Sequence, residues 1–503
     1  MAEQDPKQSQ EAQPSEAQEF QPDDFEALLN GSVSIFEPQT TAREQGIRTA
    51  LQILCQEALR NTAVVSEDAA ETIESLIAEI DRKLSEQVNA IMHNEEFQAL
   101  EGSWRGLYHL VNHTNTSEGL QLRMLTISKQ DMSKMLKKFK GARWDQSPLF
   151  KKIYSSEYDV LGGTPYSCLI GDYQFDHNPQ DVEMLGELSR IAAAAHAPFI
   201  AAAGPGLFGM KSWEDLSNPA DLTALVQTPE YAPWHSLRDS PDAKYLGLTM
   251  PRFLARLPYD PEKNPVEGFD FREEVEGADH TKFVWANAAF AMGANITRAY
   301  ELYGWCSRIR GVQSGGEVDG LPVHTFKTDD GGTDMKCPTE IAITDRREGE
   351  LAKNGLIPLT HRKNKDTAAF IGAQSLHKPE EFADPDATGN AKLGAGLPYL
   401  FAVCRFAHYL KVIVRDMVGS FKEREDMERF LNDWIMQYVV DRDDASETDK
   451  AQRPLRAAEV KVEEVEGSPG YYNATFWLRP HYQLEGLTAS LRLASKLPSE
   501  RAE

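Results

Sequence analysis

The sequence predicts a mixed α/β or α+β body that ends in a small C-terminal antiparallel sheet. Three observations predict it. Strand-like and helix-like segments alternate between residues 120 and 372, as in a layered sheet-and-helix core. Apolar residues recur at steps of three and four through residues 61–114, the period of an amphipathic helix. From Leu455 to Leu497 the apolar residues alternate with polar ones, the period of a half-buried strand.

Residues 1–24 are Glu, Gln, Asp, Ser and Pro with one aromatic, Phe20. Such a composition cannot offset the entropy of ordering, so residues 1–60 are expected to form a disordered tail. Within it, Phe25, Leu28 and Leu29 share one face of a short helix capped by Asp23 or Asp24 and stopped by Gly31. So short a helix is marginal in water. It fits equally a peptide that folds on a partner and a turn packed on its own domain. Ser66 is a good N-cap for a helix carrying Ile73, Ile77, Ile80, Leu84, Val88 and Ile91, and Phe97, Leu100, Trp104, Leu107 and Val111 repeat the pattern after Asn94. The two helices, within 66–114, fit an αα-hairpin or a surface for a partner helix.

In the body, 61–380, strands are expected at Leu120–Ile127, Phe199–Ala203, Phe253–Leu257, Ile341–Thr344, Leu356–Leu359 and Ala368–Ile371. Helices are expected at Pro179–His196 and Lys282–Tyr303, and the Gly- and Asp-rich run Gly311–Gly332 reads as a long loop. A Pro-, Asp- and Gly-rich stretch at 378–394 marks a boundary. Beyond it, residues 381–503 read as helices 395–417 and 422–440, an acidic linker at Asp441–Lys450, and three strands. Val460, Val462 and Val465 lie on the first strand. Tyr472, Ala474, Phe476 and Leu478 lie on the second, which Pro480 stops, and Leu487, Ala489, Leu491 and Leu493 lie on the third. Open edges of a small terminal sheet pair with other chains.

The chain has 503 residues and a net charge of −25, from 78 acidic and 53 basic residues. That balance argues against binding nucleic acid or anionic lipid. Five scattered cysteines without a C-x-x-C pair suggest reduced thiols in a cytoplasm. No signal-peptide pattern opens the chain, and the apolar run Ala395–Val414 is interrupted by Arg405, His408 and Lys411. It therefore reads as an amphipathic helix rather than a membrane insertion.

Catalytic signals are sparse. Gly204-Pro205-Gly206-Leu207-Phe208-Gly209 matches G-x-G-x-x-G after an apolar strand, the pattern of a dinucleotide-binding turn. A nucleotide-dependent oxidoreductase using it is the alternative reading. Only Ser212–Leu216 can be helical before Asn218-Pro219, so a plain backbone turn accounts for the match better. His109 and His113, four apart, lack a third zinc ligand. Asp329, Asp330 and Asp334 do not have EF-hand spacing. No cofactor and no metal is expected, and no catalytic residue stands out.

Four strings carry a family resemblance: Glu101-Gly102-Ser103-Trp104-Arg105-Gly106-Leu107, the Ala-rich Ala192–Gly206, Tyr399–Asp416 and Arg479–Pro498. Together they span nearly the whole chain. The chain resembles the large subunit of the contractile sheath of type VI secretion systems, the TssC/VipB/EvpB family. The resemblance implies a contractile-tail-sheath-like fold and a structural role without catalysis. It implies a heterodimer with the small sheath subunit (TssB/VipA) and a helical tube of such heterodimers around the Hcp inner tube, nucleated by a baseplate. Contraction propels that inner tube, and a ClpV-type AAA+ ATPase recycles the spent sheath. In such sheaths strands from neighbouring protomers complete a sheet on the C-terminal domain. The strands bearing Val460, Val462, Tyr472, Ala474, Phe476 and Leu478 suit that role, and Thr62–Val65 suits a strand donated to a neighbour. Phe25, Leu28 and Leu29 match the place and type of the family's ATPase-docking helix. Lys422, Arg424 and Arg429, opposite the apolar stripe Phe421, Leu431, Trp434, Ile435 and Tyr438, fit the charged helix that holds the inner tube. An ordinary solvated face fits them slightly better.

Overall fold

The structure is a computed structural model that describes residues 69–217, 221–275, 279–327, 331–417, 424–442, 444–464, 472–481 and 483. The chain divides into two compact units, Met1–Ala90 with Pro265–Arg272, and Ile91–Asn264 with Glu273–Glu503. In the first, helix Ala69–Met92 carries the predicted apolar period, and Asn89 Nδ2 donates to the Arg272 carbonyl at 3.3 Å.

The second unit is built on a six-stranded sheet. Its strands are β1 (Leu169–Phe175), β2 (Phe199–Ala203), β3 (Leu246–Met250), β6 (Glu317–Val318), β9 (Leu356–His361) and β10 (Ala368–Phe370), in the order β1-β2-β3-β9-β10-β6. The first four are parallel, and β10 is antiparallel to both β9 and β6. Both faces of the parallel part are covered, so β2 and β3 are buried at every residue. The period of two sorts their side chains. Phe199, Ala201, Leu246, Leu248 and Leu356 pack with Leu185, Leu188 and Ile191 of helix Pro179–Ala195. Ile200, Ile357 and Leu359 pack on the other side with Ala289, Met292 and Ile296 of helix Ala288–Tyr303 and with Leu397 and Phe401. Short antiparallel pairs flank this sheet: β4 (Phe253–Leu254) with β5 (Trp285–Ala286), and β7 (Thr325–Lys327) with β8 (Thr333–Met335).

Helix Glu95–Asn112 shows why the Glu101–Leu107 string has its form. Asn94 caps it, accepting from the Glu96 and Phe97 amides. Gly102 and Gly106 face the body. A methyl group at Gly102 would overlap the Trp285 carbonyl oxygen, and one at Gly106 would overlap the Phe290 ring. Just before them, Glu101 turns inward to Arg256, whose Nε donates to its Oε1 at 2.6 Å. Arg256 also grips Glu273 with Nη1 at 2.6 Å and Nη2 at 3.0 Å. Burial opposes ionisation of Glu101, yet its bonds to Arg256 and Arg105 hold its pKa below the ordinary carboxylate value.

The C-terminal part forms a third core. Strands β11 (Leu455–Glu464) and β12 (Tyr472–Pro480) pair antiparallel over nine residue pairs, from Leu455↔Pro480 to Glu464↔Tyr472. Val460 and Val462 are buried against Leu431 and Ile435 of helix Arg424–Met436 and against Phe406 and Leu410 of helix Leu397–Met417. That second helix is long and apolar enough to cross a membrane, and half of it is buried inside the protein. Its charged residues also bind the body: Lys411 pairs with Asp159 at 3.0 Å, and Arg415 donates to the Val160 carbonyl at 3.1 Å.

Several sequence expectations need correction. Leu120–Ile127 forms no strand, only a bridge from Leu120 to Ser117, because no partner strand lies beside it among the described residues. Ile341–Thr344 is a loop that delivers Thr344 to cap helix Asp345–Lys353. The helix expected from Lys282 starts at Ala288, capped by Asn287, because Trp285 and Ala286 pair with β4. The expected loop Gly311–Gly332 contains β6 and β7. The third C-terminal strand, at Leu487–Leu493, lies outside the described residues.

Candidate assembly interface

The hairpin β11–β12 presents two unlike faces. Val460 and Val462 point into the third core, joined by the half-buried Tyr472, Ala474, Phe476 and Leu478. The other face carries exposed Glu459, Lys461, Glu463, Asn473, Thr475 and Trp477, the tryptophan 54% exposed. The six strand residues predicted to build an inter-subunit sheet thus share one sheet, with their side chains inward and only their backbone available at the rim. Thr62 and Val65 lie outside the described residues, as do Phe25, Leu28 and Leu29.

The edge of β11 away from β12 is not open. Val460 N–H donates to Asn432 Oδ1 at 2.9 Å, and Asn432 Nδ2 donates back to the Val460 carbonyl at 2.8 Å. Val462 N–H donates to Glu428 Oε2 at 2.9 Å. At the start of β11, Leu455 N–H donates to the Tyr438 carbonyl and its carbonyl accepts from Val440 N–H. Sequence reasoning missed Glu428 and Asn432. The available signal was two polar residues four apart beside the apolar pair Leu431 and Ile435.

Of the three cations expected to hold an inner tube, Arg424 and Arg429 are exposed on helix Arg424–Met436, and Arg424 pairs with Glu425 at 3.5 Å. Lys422 and Phe421 lie outside the described residues. Leu431 and Ile435 are fully buried and Trp434 and Tyr438 half-buried, so the apolar stripe faces inward as the period requires. A second apolar surface lies on helix Glu95–Asn112. Phe97, Leu100, Trp104, Tyr108 and Val111 are 40% to 65% exposed, at steps of three and four. A contiguous exposed stripe of this kind marks an interaction surface.

The glycine-rich turn is already filled. The Asp176 carboxylate lies where a methyl group on Gly204 or Gly206 would sit, the latter 2.8 Å from Oδ2. Burial, with Asp181 nearby, pushes the Asp176 pKa up. The turn continues as a single 3-10 turn, Pro205–Phe208, rather than a helix. A pyrophosphate needs a helix N-terminus with free amides and no carboxylate in its place. His113 Nδ1 contacts the His109 carbonyl at 2.8 Å, and burial lowers the His109 pKa to about 4. Among the described residues, no group of three His, Cys, Asp or Glu side chains is placed to hold a metal. Burial pushes the Cys404 thiol up to about 12, far from a reactive thiolate.

Comparison with known proteins defines the class. The family model described as EvpB/VC_A0108, tail sheath N-terminal domain, matches residues 74–377, and that described as EvpB/VC_A0108, tail sheath gpW/gp25-like domain, matches residues 386–497. The protein is of the tail-sheath class, with an N-terminal body domain and a gpW/gp25-like C-terminal domain. The chain belongs to the TssC/VipB/EvpB family of type VI secretion contractile-sheath large subunits. It is 63% identical over 480 residues to the type VI secretion system sheath protein TssC1 of Pseudomonas aeruginosa, covering 95% of this chain and 96% of that protein. Among solved structures it is similar to a chain of the anti-feeding prophage baseplate, with TM-score 0.38 and 9% identity over 75% of this chain and 84% of that one. It is also similar to the anti-feeding prophage helical sheath in its contracted state, with TM-score 0.31 and 10% identity over 63% and 68%.

Proposed function

We propose that this chain works by lending backbone edges to its neighbours in a contractile polymer. In this reading it pairs with the small sheath subunit and polymerises in the cytoplasm into a helical tube around the Hcp inner tube. Contraction from a baseplate propels that inner tube, and a ClpV-type ATPase recycles the spent sheath through Phe25, Leu28 and Leu29. The observation that carries the reading is the nine-pair hairpin at the end of the C-terminal domain. One face of its side chains is committed to its own core, and β12 has no strand partner beyond β11 among the described residues. Main-chain bonds net only about 1 kcal/mol each. Repeated at every protomer, they can keep a lattice linked while subunits rotate. The exposed stripe from Phe97 to Val111 supports a helical contact with the small subunit. The oxidoreductase alternative loses its only motif, since Asp176 occupies the turn it requires.

Co-expression with the cognate small subunit, viewed by negative-stain microscopy, tests the reading. Long tubes of regular cross-section are expected, and discrete globular particles would contradict it. Replacing Leu28 and Leu29 by Asp is expected to leave tubes intact and abolish ATPase pull-down. Unchanged pull-down removes those residues from the docking role.

A further inference from the structure

The chain carries a net charge of −25, yet residues 129–152 hold eight Lys and Arg against two Asp. A block of one sign on an oppositely charged protein makes a local field that the net charge conceals. The segment is folded onto the body. Helix Lys129–Lys138 starts at Ser128, whose side chain accepts from the Asp131 amide, and helical turns follow at Gly141–Gln146, Pro148–Phe150 and Lys151–Ser155. Met132, Leu136, Leu149, Phe150 and Ile153 are buried in the core that holds Leu185 and Leu188. The period that buries them sends the cations outward, and Lys134, Lys137, Lys138, Arg143, Lys151 and Lys152 are all exposed. Lys129 pairs with Asp181 at 2.8 Å, and Lys140 pairs with Glu183. Lys134 has only the exposed Asp131, at 3.6 Å. Among the described residues, Lys137, Lys138, Arg143, Lys151 and Lys152 pair with no carboxylate. Lys137 and Lys138 complement the dipole at their helix C-terminus. Arg143, Lys151 and Lys152 stand on other turns, where that reason does not reach. Like charges three and four apart, as Lys134 is from Lys137 and Lys138, weaken a helix, so the density is a cost to folding.

The chemistry of the face narrows its partner. No large apolar side chain between residues 127 and 159 is exposed, and the half-buried Trp144 leans edge-on against Phe150 at 5.0 Å. Nothing is left to stack on an unpaired base or to wedge into acyl chains. The acidic remainder of the chain is repelled by a phosphate polymer or an anionic bilayer. An acidic protein surface fits, and this chain displays such surfaces itself. Glu380, Glu381 and Asp384 are exposed together in sequence, as are Asp441, Asp444 and Glu447. Two copies meeting through the lysine face alone would set like charge against like. Basic face against acidic run uses two different surfaces, as in the head-to-tail contacts that repeat into a helical polymer. We propose that the lysine face of helix Lys129–Lys138 and the turns after it docks on an acidic surface of another copy of this chain. The inference rests on the reading of the chain as a polymer subunit, and names one electrostatic joint of that polymer. Lysine ammoniums are point charges on flexible stems, and in water they act over a screening length of about 8 Å. Such a joint holds two subunits together without fixing a single register.

The test uses the full chain co-expressed with its small sheath partner. Tubes and discrete complexes are separated by ultracentrifugation, and each fraction is treated with a carbodiimide, which joins a lysine to a carboxylate in direct contact. In tubes, peptides bearing Lys137, Lys138, Lys151 or Lys152 are expected to join Asp or Glu peptides of this same chain, by links absent from the discrete complexes. Tubes in which those lysines join nothing, or only the small partner, overturn the proposal and leave the polymer reading standing. A native protein that forms no tubes overturns the reading, and the proposal with it. Replacing Lys137, Lys138 and Lys151 together by Glu is expected to raise the concentration for half-assembly about tenfold, the summed loss of several exposed pairs, with the melting temperature of the discrete complex unchanged. The corresponding Gln variant is expected to fall between. An unaltered assembly midpoint in both variants overturns the proposal. If the Glu variant does not fold, the Gln variant and the crosslinks decide. Cosedimentation of the native complex with phosphatidylserine vesicles that the Gln variant loses, its assembly unchanged, assigns the face to a membrane and overturns the contact between copies.

Discussion

Replacing Arg256 by Met would leave the buried Glu273 without its guanidinium partner and Glu101 with only Arg105, whose Nε donates to it at 2.6 Å. The side chains of Glu101 and Glu273 are 13% and 1% exposed, and Arg256 is 6% exposed. Its guanidinium donates four bonds to them, at 2.6, 2.6, 3.0 and 3.3 Å. Removing one partner of a buried pair costs about 3–5 kcal/mol, because the remaining charge is uncompensated. Met fills similar volume, so little of the loss is packing. If about 400 residues unfold together, their unfolding entropy is about 0.8 kcal/mol/K, and a 4 kcal/mol loss lowers Tm by about 5 °C. Urea unfolding of the chain with its partner, at pH 7 and pH 5, reads both size and sign. In the native protein the folded-state pKa of Glu101 is depressed, so its contribution is present above its unfolded value and fades as pH falls. Without Arg256 the protonated form is favoured, and the variant's deficit should shrink from pH 7 to pH 5. A deficit below about 1 kcal/mol at pH 7, or one equal at both pH values, would refute this account of the Glu101–Leu107 string.

Gly102→Ala should lower the unfolding free energy, read by denaturant titration, by about 1–3 kcal/mol despite the better helix propensity of Ala, because the methyl group meets the Trp285 carbonyl; a stabilised variant would show that the helix can shift freely. Glu340 is held at a pKa of about 2 against burial by His280 and Arg252, whose Nη2 reaches it at 2.6 Å. Its contribution, of order 3 kcal/mol, is present above about pH 4.5 and lost toward pH 2; Glu340→Gln should flatten that limb of an acid-unfolding curve. Burial lowers the His408 pKa to about 4. The unfolded state then takes up more protons between about pH 6.5 and 4, so stability should fall with acidification there, and the fall should be smaller in His408→Gln. Reversing the charge of Lys422, Arg424 and Arg429 together should shorten tube-loaded sheaths in micrographs if that helix holds the inner tube, and unaltered lengths would assign those cations to a solvated face.

The sequence by itself determined the elements whose period is local. The Asn94 cap and the apolar steps set helix Glu95–Asn112, Pro179 and the run behind it set helix Pro179–Ala195, and strict alternation set β11 and β12. The family was equally legible, because long strings such as Tyr399–Asp416 survive as sequence. Tertiary structure alone decided which segments pair. The local pattern does not mark strands β1 and β3, because Gly171, Asp172, Gln174, Gly247 and Thr249 interrupt it; burial between two helical layers makes a strand of β3, and parallel pairing with β2 makes one of β1. Leu120–Ile127 has the pattern and lacks the partner. The side-chain bonds of Glu428 and Asn432 span about 30 residues of chain, and no local period encodes a meeting between a helix and a strand's rim. Propensity and periodicity act within one element, while hydrogen-bond satisfaction at an edge depends on whatever the fold brings beside it.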